Sequence, residues 1–168
     1  LESLGWVSRM LGRYALTAAV QVPLGEEAPL AGVPGLALRA ERAPNLEGAR
    51  QLAFDATWAS AVAAAGKAAL VVLLDVSLTE AEADALAGAG NVVVLGTVES
   101  AAWERASLVL PITTMAEEHG TWMNCEGRIQ RYHQARSAPG MARPAWWVAA
   151  GAMESAGDAA GAPGTSAE

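Results

Sequence analysis

The chain has 168 residues, 52% of them hydrophobic and 17% charged, enough apolar surface for one packed domain and too much for wholesale disorder. A net charge of −7 argues against a duplex-binding surface, which needs a basic stripe, so no nucleic-acid partner is expected. The one cysteine, Cys125, permits no internal disulfide and no four-thiolate cluster from this chain alone.

The longest apolar run, from Ala68 to Val76 with only Asp75 interrupting it, is far short of the ~20 residues a membrane span requires. No direct membrane insertion is expected. Leu1 rather than Met opens the chain, so an upstream part, with any targeting signal, is expected to precede it.

Leu4, Val7, Leu11 and Tyr14 recur at spacings of three and four and predict one face of a short helix ending near Gly12. Leu16 to Val22, closed by Pro23, reads as a strand. Pro23 to Pro44 is rich in Pro and Gly and reads as an irregular connector. Asn45 then stands as N-cap of a short turn through Gly48, and Thr57 as N-cap of a helix to Ala65, ended by Gly66.

The middle of the chain alternates strand and helix. Ala69 to Asp75 is a continuous apolar run, the pattern of a strand buried on both faces. Ser77-Leu-Thr-Glu80 has capping-box spacing and predicts a helix to about Ala87, broken by Gly88 and Gly90. Asn91 to Gly96 is a second buried strand, Val98 to Arg105 a short helix and Ser107 to Pro111 a third strand. Strand, helix, strand, helix, strand at this spacing implies right-handed crossovers and a parallel sheet. The fold class is α/β: a Rossmann-like parallel sheet flanked by helices, with an irregular C-terminal arm.

That arm holds a polar loop or short helix over Thr113 to Gly120, a hairpin or extended arm over Thr121 to Gln134, and a helix over Ala145 to Met153. One domain is expected over residues 1–154 and a disordered tail over 155–168, where Gly, Ala, Ser and Pro dominate.

In a parallel α/β sheet, ligands bind beyond the carboxyl ends of the strands. Here those ends carry Asp75-Val-Ser77, Gly96-Thr97 and Pro111-Ile-Thr-Thr114, all on one edge. Ser77 and Thr97 are expected to start helices. Neither strand-to-helix turn has the glycines of a phosphate-binding loop, so dinucleotide binding is not expected. His119, Cys125 and His133 match no common zinc spacing and read as loop residues. Glu117, Glu118 and Glu126 are candidate acid–base groups, but the favoured role is to accept backbone N–H groups or pair with Arg128 and Arg131, fixing the shape of the arm. Gly120 and Gly127 are expected to supply unusual backbone angles. Trp122, Trp146 and Trp147 are either core residues or interface anchors.

In order, Leu108-Val-Leu-Pro111, Ala116-Glu-Glu-His-Gly-Thr121, Asn124-Cys-Glu-Gly-Arg-Ile-Gln130 and Ala142-Arg-Pro-Ala-Trp146 form one series. It resembles the molybdopterin oxidoreductase superfamily. There a Leu-Pro strand leads to Glu-x-x-Gly-Thr, then Asn-x-Glu-Gly-Arg-x-Gln, then Arg-Pro-x-Trp. Within that superfamily, Glu126-Gly127-Arg128 is similar to the family of the large iron–sulfur subunit of NADH–quinone oxidoreductase (complex I). Ala106-Ser107 stands where the family often has Ala-Asp, and Trp122 where it has Phe. Pro44-Asn45 and Gly48-Ala49 loosely resemble the family's Asn-x-x-Gly-Ala turn.

The resemblance implies a scaffold module of an electron-transfer subunit supporting passage of electrons from NADH to quinone. Its iron–sulfur clusters would sit in N-terminal domains outside this chain, with no cofactor, metal or catalytic residue in the chain itself. It carries over Glu117, Gly120, Thr121, Asn124, Glu126, Gly127 and Arg128 as a structural signature loop. Expected partners are the other subunits of the NADH-oxidising arm and the chain's own N-terminal domains. Expected location is the cytoplasm, peripheral on the inner face of the cell membrane. Two alternatives stand beside it: a fragment of a molybdopterin-dependent enzyme such as a formate dehydrogenase, with Thr97 and Thr113 bordering the cofactor, and a standalone interaction domain using its Trp surface. A sheet cut from its parent leaves unpaired edges, so low solubility of the isolated piece is expected.

Overall fold

The structure is a computed structural model; it describes residues 17–22, 25–41, 43, 45–51 and 56–155, the side chain of Met153 excepted. The helix expected over Leu4 to Tyr14 and the tail from residue 156 lie outside the described residues.

At the centre is a parallel sheet of three strands, β3 (Val71–Leu74), β4 (Val92–Gly96) and β5 (Leu108–Pro111), in the spatial order of the sequence. Val72 aligns with Val93 and Val93 with Leu108; Leu74 aligns with Leu95 and Leu95 with Leu110. Aliphatic runs form these strands because β-branched and Leu side chains fill a pleated, covered surface well. The chain is α/β, with a parallel sheet flanked by helices, as its sequence pattern predicts.

Both connections between these strands lie on one face. The first holds α3 (Glu80–Asp84) and a 3₁₀ turn at Ala85–Gly88; the second is a 3₁₀ turn at Ala101–Arg105 in place of the expected helix from Val98. Leu73, Val92 and Val94 pack there against Leu86 and Ala102, and this is the core. Two right-handed crossovers in one direction must put their cover on the same side. The first strand is therefore not buried on both faces: Leu73 is buried, but Val72 is 57% exposed.

Helix α2 (Trp58–Ala65) begins where its sequence says. Thr57 accepts the backbone N–H of Ser60 at 3.2 Å, and Gly66 follows the last turn. Helix α3 starts two residues later than the Ser77 box implies. Thr79 is its N-cap, and Glu82 returns a bond to the Thr79 N–H at 2.8 Å. Trp58 Nε1 donates to the same carboxylate at 2.6 Å, tying α2 to α3. Ser77 instead offers its carbonyl to Gln21 Nε2 at 3.1 Å.

Three further expectations are corrected. Residues 17–22 form no strand. The connector is not wholly irregular, because Ala28–Pro29 (β1) and Ala37–Leu38 (β2) pair as an antiparallel hairpin. Ser155 belongs to the last helix, α4 (Ala145–Ser155), and not to a tail. The C-terminal arm is a second antiparallel hairpin, β6 (Gly120–Met123) with β7 (Ile129–Tyr132). Helix α1 (Leu46–Gln51), with Leu46 and Ala49 buried, lies against β6.

Candidate functional site

The carboxyl ends of the three central strands meet along one edge. Asp75 is held there at φ +47°, and its Oδ1 accepts both the N–H (3.1 Å) and the hydroxyl (2.7 Å) of Thr97. Thr97 is thus a clasp between the ends of β3 and β4, not a helix cap; Ser100 precedes the following 3₁₀ turn. Beside this clasp lies a cavity of about 600 Å³ lined by Gly96, Thr97, Trp103, Thr114, Glu117 and Arg136, among others. The indole Nε1 of Trp103, a residue of that lining, is buried, with no hydrogen-bond partner among the described residues. A buried N–H without an acceptor costs about 1–3 kcal/mol, so this donor faces a demand that the described residues leave unmet.

Two of the arm's carboxylates, Glu117 and Glu118, are engaged internally. Glu117 is 7% exposed. Its Oε2 accepts the Thr114 N–H at 3.0 Å and its Oε1 meets Arg136 Nη2 at 2.9 Å. Arg136, which carries no signal in the sequence pattern, takes the place expected for Arg128 or Arg131. Glu118 accepts the Thr113 hydroxyl at 2.9 Å and the Tyr132 hydroxyl at 3.4 Å. Burial and the Glu118 carboxylate raise the Tyr132 phenol above its ordinary value. The arm is pinned to the sheet from both sides. Thr113 N–H donates to the Arg143 carbonyl at 3.1 Å, and the N–H groups of Ala135 and Arg136 both reach the Ala116 carbonyl. Ile112 and Arg143 form a parallel bridge, so the Leu-Pro strand and the Arg-Pro-Ala-Trp stretch lie side by side.

Asn124 closes the β6–β7 turn. Its Oδ1 accepts the N–H groups of Glu126 (3.0 Å) and Arg128 (2.9 Å), an Asx arrangement that needs a short amide or carboxylate at this position. Gly127 has φ +77°, the left-handed backbone expected of it. Gly120 differs: its φ is not positive, and what requires glycine is the Tyr132 ring, into which a Cβ would project. Thr121 lies in β6 opposite Arg131; Glu126 and Arg128 are exposed and contribute backbone.

His119 Nδ1 accepts the Gln134 N–H at 3.2 Å, and its ring meets His133 edge-on with centroids 5.6 Å apart. Cys125 is exposed and takes a 2.6 Å contact from Arg39 Nη1. Among the described residues no group of three His, Cys, Asp or Glu could hold a metal ion, and no helix is long and apolar enough to cross a membrane. Trp122 lies edge-on to Tyr132 at 5.8 Å; Trp122 and Trp146 are half-buried and Trp147 is exposed.

The sheet, its carboxyl edge and the arm define an α/β module, and the comparisons give its family. Residues 13–151 match the model of the molybdopterin oxidoreductase family, and the chain belongs to that family. It is 36% identical over 86 residues to the protein named "Putative formate dehydrogenase YrhE" of Bacillus subtilis (strain 168), 49% of this chain and 9% of that protein. It is also 43% identical over 47 residues to the iodate reductase subunit IdrA of Denitromonas iodatirespirans, 28% of this chain and 5% of that protein. The chain thus spans under a tenth of the length of these curated relatives.

Proposed function

We propose that this chain is a framework module of a molybdopterin-family oxidoreductase, its strand-end edge set against the redox-active remainder of the parent protein. The observation that carries the reading is the internal use of the arm's polar groups. The side-chain acceptors of Glu117, Glu118 and Asn124 are committed to Thr114, Arg136, Thr113, Tyr132 and the turn backbone. Groups so committed hold the shape of the arm.

The pterin cofactor implied by the family would lie along the strand-end cavity in the parent protein. Arg136, whose side chain is 64% exposed, lines that cavity, and a guanidinium is a donor of the kind that holds a phosphate. When bound, the cofactor supplies two-electron chemistry at molybdenum. The residues of this chain would bind and orient its edge, and the metal ligand would come from elsewhere in the parent.

The similarity to a formate dehydrogenase-named protein and to an iodate reductase subunit supports a pterin-dependent parent. A second reading is favoured by the run Glu126-Gly127-Arg128. On it, the parent is the large iron–sulfur subunit of NADH–quinone oxidoreductase, with iron–sulfur clusters in its N-terminal domains, the NADH-oxidising arm as partner and a place on the inner face of the cell membrane.

The test is to purify the full-length parent anaerobically and measure molybdenum, pterin and iron alongside electron transfer from formate or NADH to dyes. Stoichiometric molybdenum and pterin support the first parent; iron–sulfur signals with NADH oxidation and no molybdenum support the second. Stoichiometric metal on residues 1–168 alone would overturn the framework role itself.

A further inference from the structure

The signature hairpin is closed at its base through an imidazole. Gly120 pairs with Tyr132 where β6 begins, so His119 and His133 stand opposite one another one step further out. Their rings meet edge-on with centroids 5.6 Å apart. Nδ1 of His119 accepts the backbone N–H of Gln134 at 3.2 Å. A backbone N–H can only donate, so this bond needs a lone pair on Nδ1 and places the single proton of the neutral ring on Nε2. The chain just past Gln134 is held to the turn that precedes His119. The N–H groups of Ala135 (2.9 Å) and Arg136 (3.0 Å) reach the Ala116 carbonyl, and Arg136 Nη2 meets Glu117 at 2.9 Å. Gln134 Nε2 adds a bond to the Arg136 carbonyl at 2.9 Å. In this clasp the His119 bond lies nearest the strands, and its acceptor is the one group of the set that takes up a proton in the mildly acidic range, between about pH 5 and 8 for an imidazole.

Both imidazoles are exposed, so solvent protons reach them. Charging His119 puts an N–H on Nδ1, facing the Gln134 N–H, and the acceptor is gone. Charging His133 as well sets two cations side by side, and like charges at opposed positions of an antiparallel pair repel. No carboxylate offsets that charge: among the described residues neither imidazole forms an ion pair. Of the ionisable groups around the pair, Glu117 is engaged with Arg136, and Glu118 with Thr113 and Tyr132. His133 lines a cavity of about 740 Å³ together with Arg131 on β7, Cys125 in the hairpin turn, and Arg39 and Glu41 on the connector. There Arg39 contacts the Cys125 sulfur and Glu41 lies 4.0 Å from Arg50. We infer that His119 is a proton-sensitive latch. Its neutral ring closes the hairpin base on Gln134, and acidification that charges the ring opens it, loosening the return segment that carries Arg136 to the strand-end cavity.

Nuclear magnetic resonance on the full chain, labelled with nitrogen-15, tests this. At about pH 8 the imidazole correlations of His119 should show the proton on Nε2 and a bare Nδ1. Between about pH 8 and about pH 5 the protection of the Gln134 amide against hydrogen exchange should fall about threefold, the low end of what one exposed hydrogen bond contributes. The amide of Ser107, bonded to the Val92 carbonyl inside the sheet, is the reference and should hold its protection over the same range. These readings come from the native chain and so do not depend on how any variant folds. His119→Asn then separates the proton from the contact. Its side-chain oxygen stands near the place of Nδ1 and takes up no proton in this range, so Gln134 should stay protected at both pH values. A proton on Nδ1 at about pH 8 overturns the proposal. So does Gln134 protection that is the same at both pH values in the native chain, or that falls in His119→Asn as much as in the native chain.

Discussion

The side chain of Asn45 reaches out of its own turn to accept the backbone N–H of Met123 at 2.8 Å. Met123 is buried, and Gln51, at the other end of α1, contacts its sulfur at 3.3 Å. One short helix therefore holds the end of β6 at two points and fixes where the signature hairpin leaves the sheet domain. Asn45 also has φ +66°, a conformation in which Asn is among the few tolerated non-glycine residues. Asn45→Ala should cost about 2–3 kcal/mol, combining an unsatisfied buried N–H with left-handed strain. Asn45→Gly relieves only the strain and should cost about 1–2 kcal/mol. Asn45→Asp, which keeps the acceptor, should stay within about 1 kcal/mol. Urea unfolding of the three variants gives the ranking; equal losses for Ala and Asp would contradict it.

Gly120 should tolerate no side chain while Tyr132 is present, because the space for a Cβ is filled by the phenol ring. Gly120→Ala is expected to cost about 1–3 kcal/mol through displacement of that ring. In a Tyr132→Ala background the same change should be close to neutral. A double-mutant cycle reads the difference. Additive effects would mean that the glycine serves some purpose other than space.

These two residues show what the sequence could and could not reveal. Gly127 was legible because Asn-Cys-Glu-Gly is a local turn pattern and its left-handed φ follows from local geometry. Gly120 was not, because its requirement comes from a ring on the partner strand. The strands themselves were legible from their aliphatic runs. Their one-sided burial was not, since a run of Val and Leu looks the same whether cover comes from one side or two. Ser77-x-x-Glu80 and Thr79-x-x-Glu82 both have capping-box spacing. The second forms in the structure, and Trp58, on another helix, adds a bond to Glu82. Arg136 and Trp103 carried no local signal at all, because their roles arise only when the arm folds back along the strand ends.

The buried carboxylate of Glu117 should be the most sensitive polar group of the arm. Glu117→Ala leaves the Thr114 N–H and Arg136 without their shared acceptor and is expected to cost about 2–4 kcal/mol. Arg136→Ala removes a largely solvent-exposed partner and should cost about 1 kcal/mol. Glu117→Gln, which can keep one acceptor oxygen, should fall between. Chemical unfolding supplies the order; an Arg136→Ala loss as large as that of Glu117→Ala would show that the ion pair, and not the backbone bond, dominates.

At high pH the phenol of Tyr132 should become a weak point. Its ionisation is raised above the ordinary value of 10.0 by burial first and by Glu118 second, so its contribution is complete below the ordinary value and fades as pH climbs through the raised one. The chain has two tyrosines, Tyr14 and Tyr132. The phenolate absorbance lost on Tyr132→Phe isolates the second, and its midpoint should lie above 10.0. A midpoint at or below that value would remove Glu118 and burial as causes.

At low pH the weak point should be Glu82. Its carboxylate is held below the ordinary 4.5 by the Thr79 backbone N–H first, then by the Trp58 indole and the Thr79 hydroxyl. A lowered carboxyl ionisation stabilises the fold above the unfolded-state value, and that contribution is lost as pH falls through the folded-state value. Glu82→Gln should therefore be less stable than the native chain at neutral pH, and the gap should narrow as pH drops below 4.5. Thermal unfolding at about pH 7, about pH 5 and about pH 3 follows the gap. Because Glu82 both caps α3 and receives the Trp58 N–H, Trp58→Phe should remove part of the same acid dependence without touching the cap. A gap that stays constant down to about pH 3 would mean that packing of the side chain, not its charge, is what Glu82 contributes.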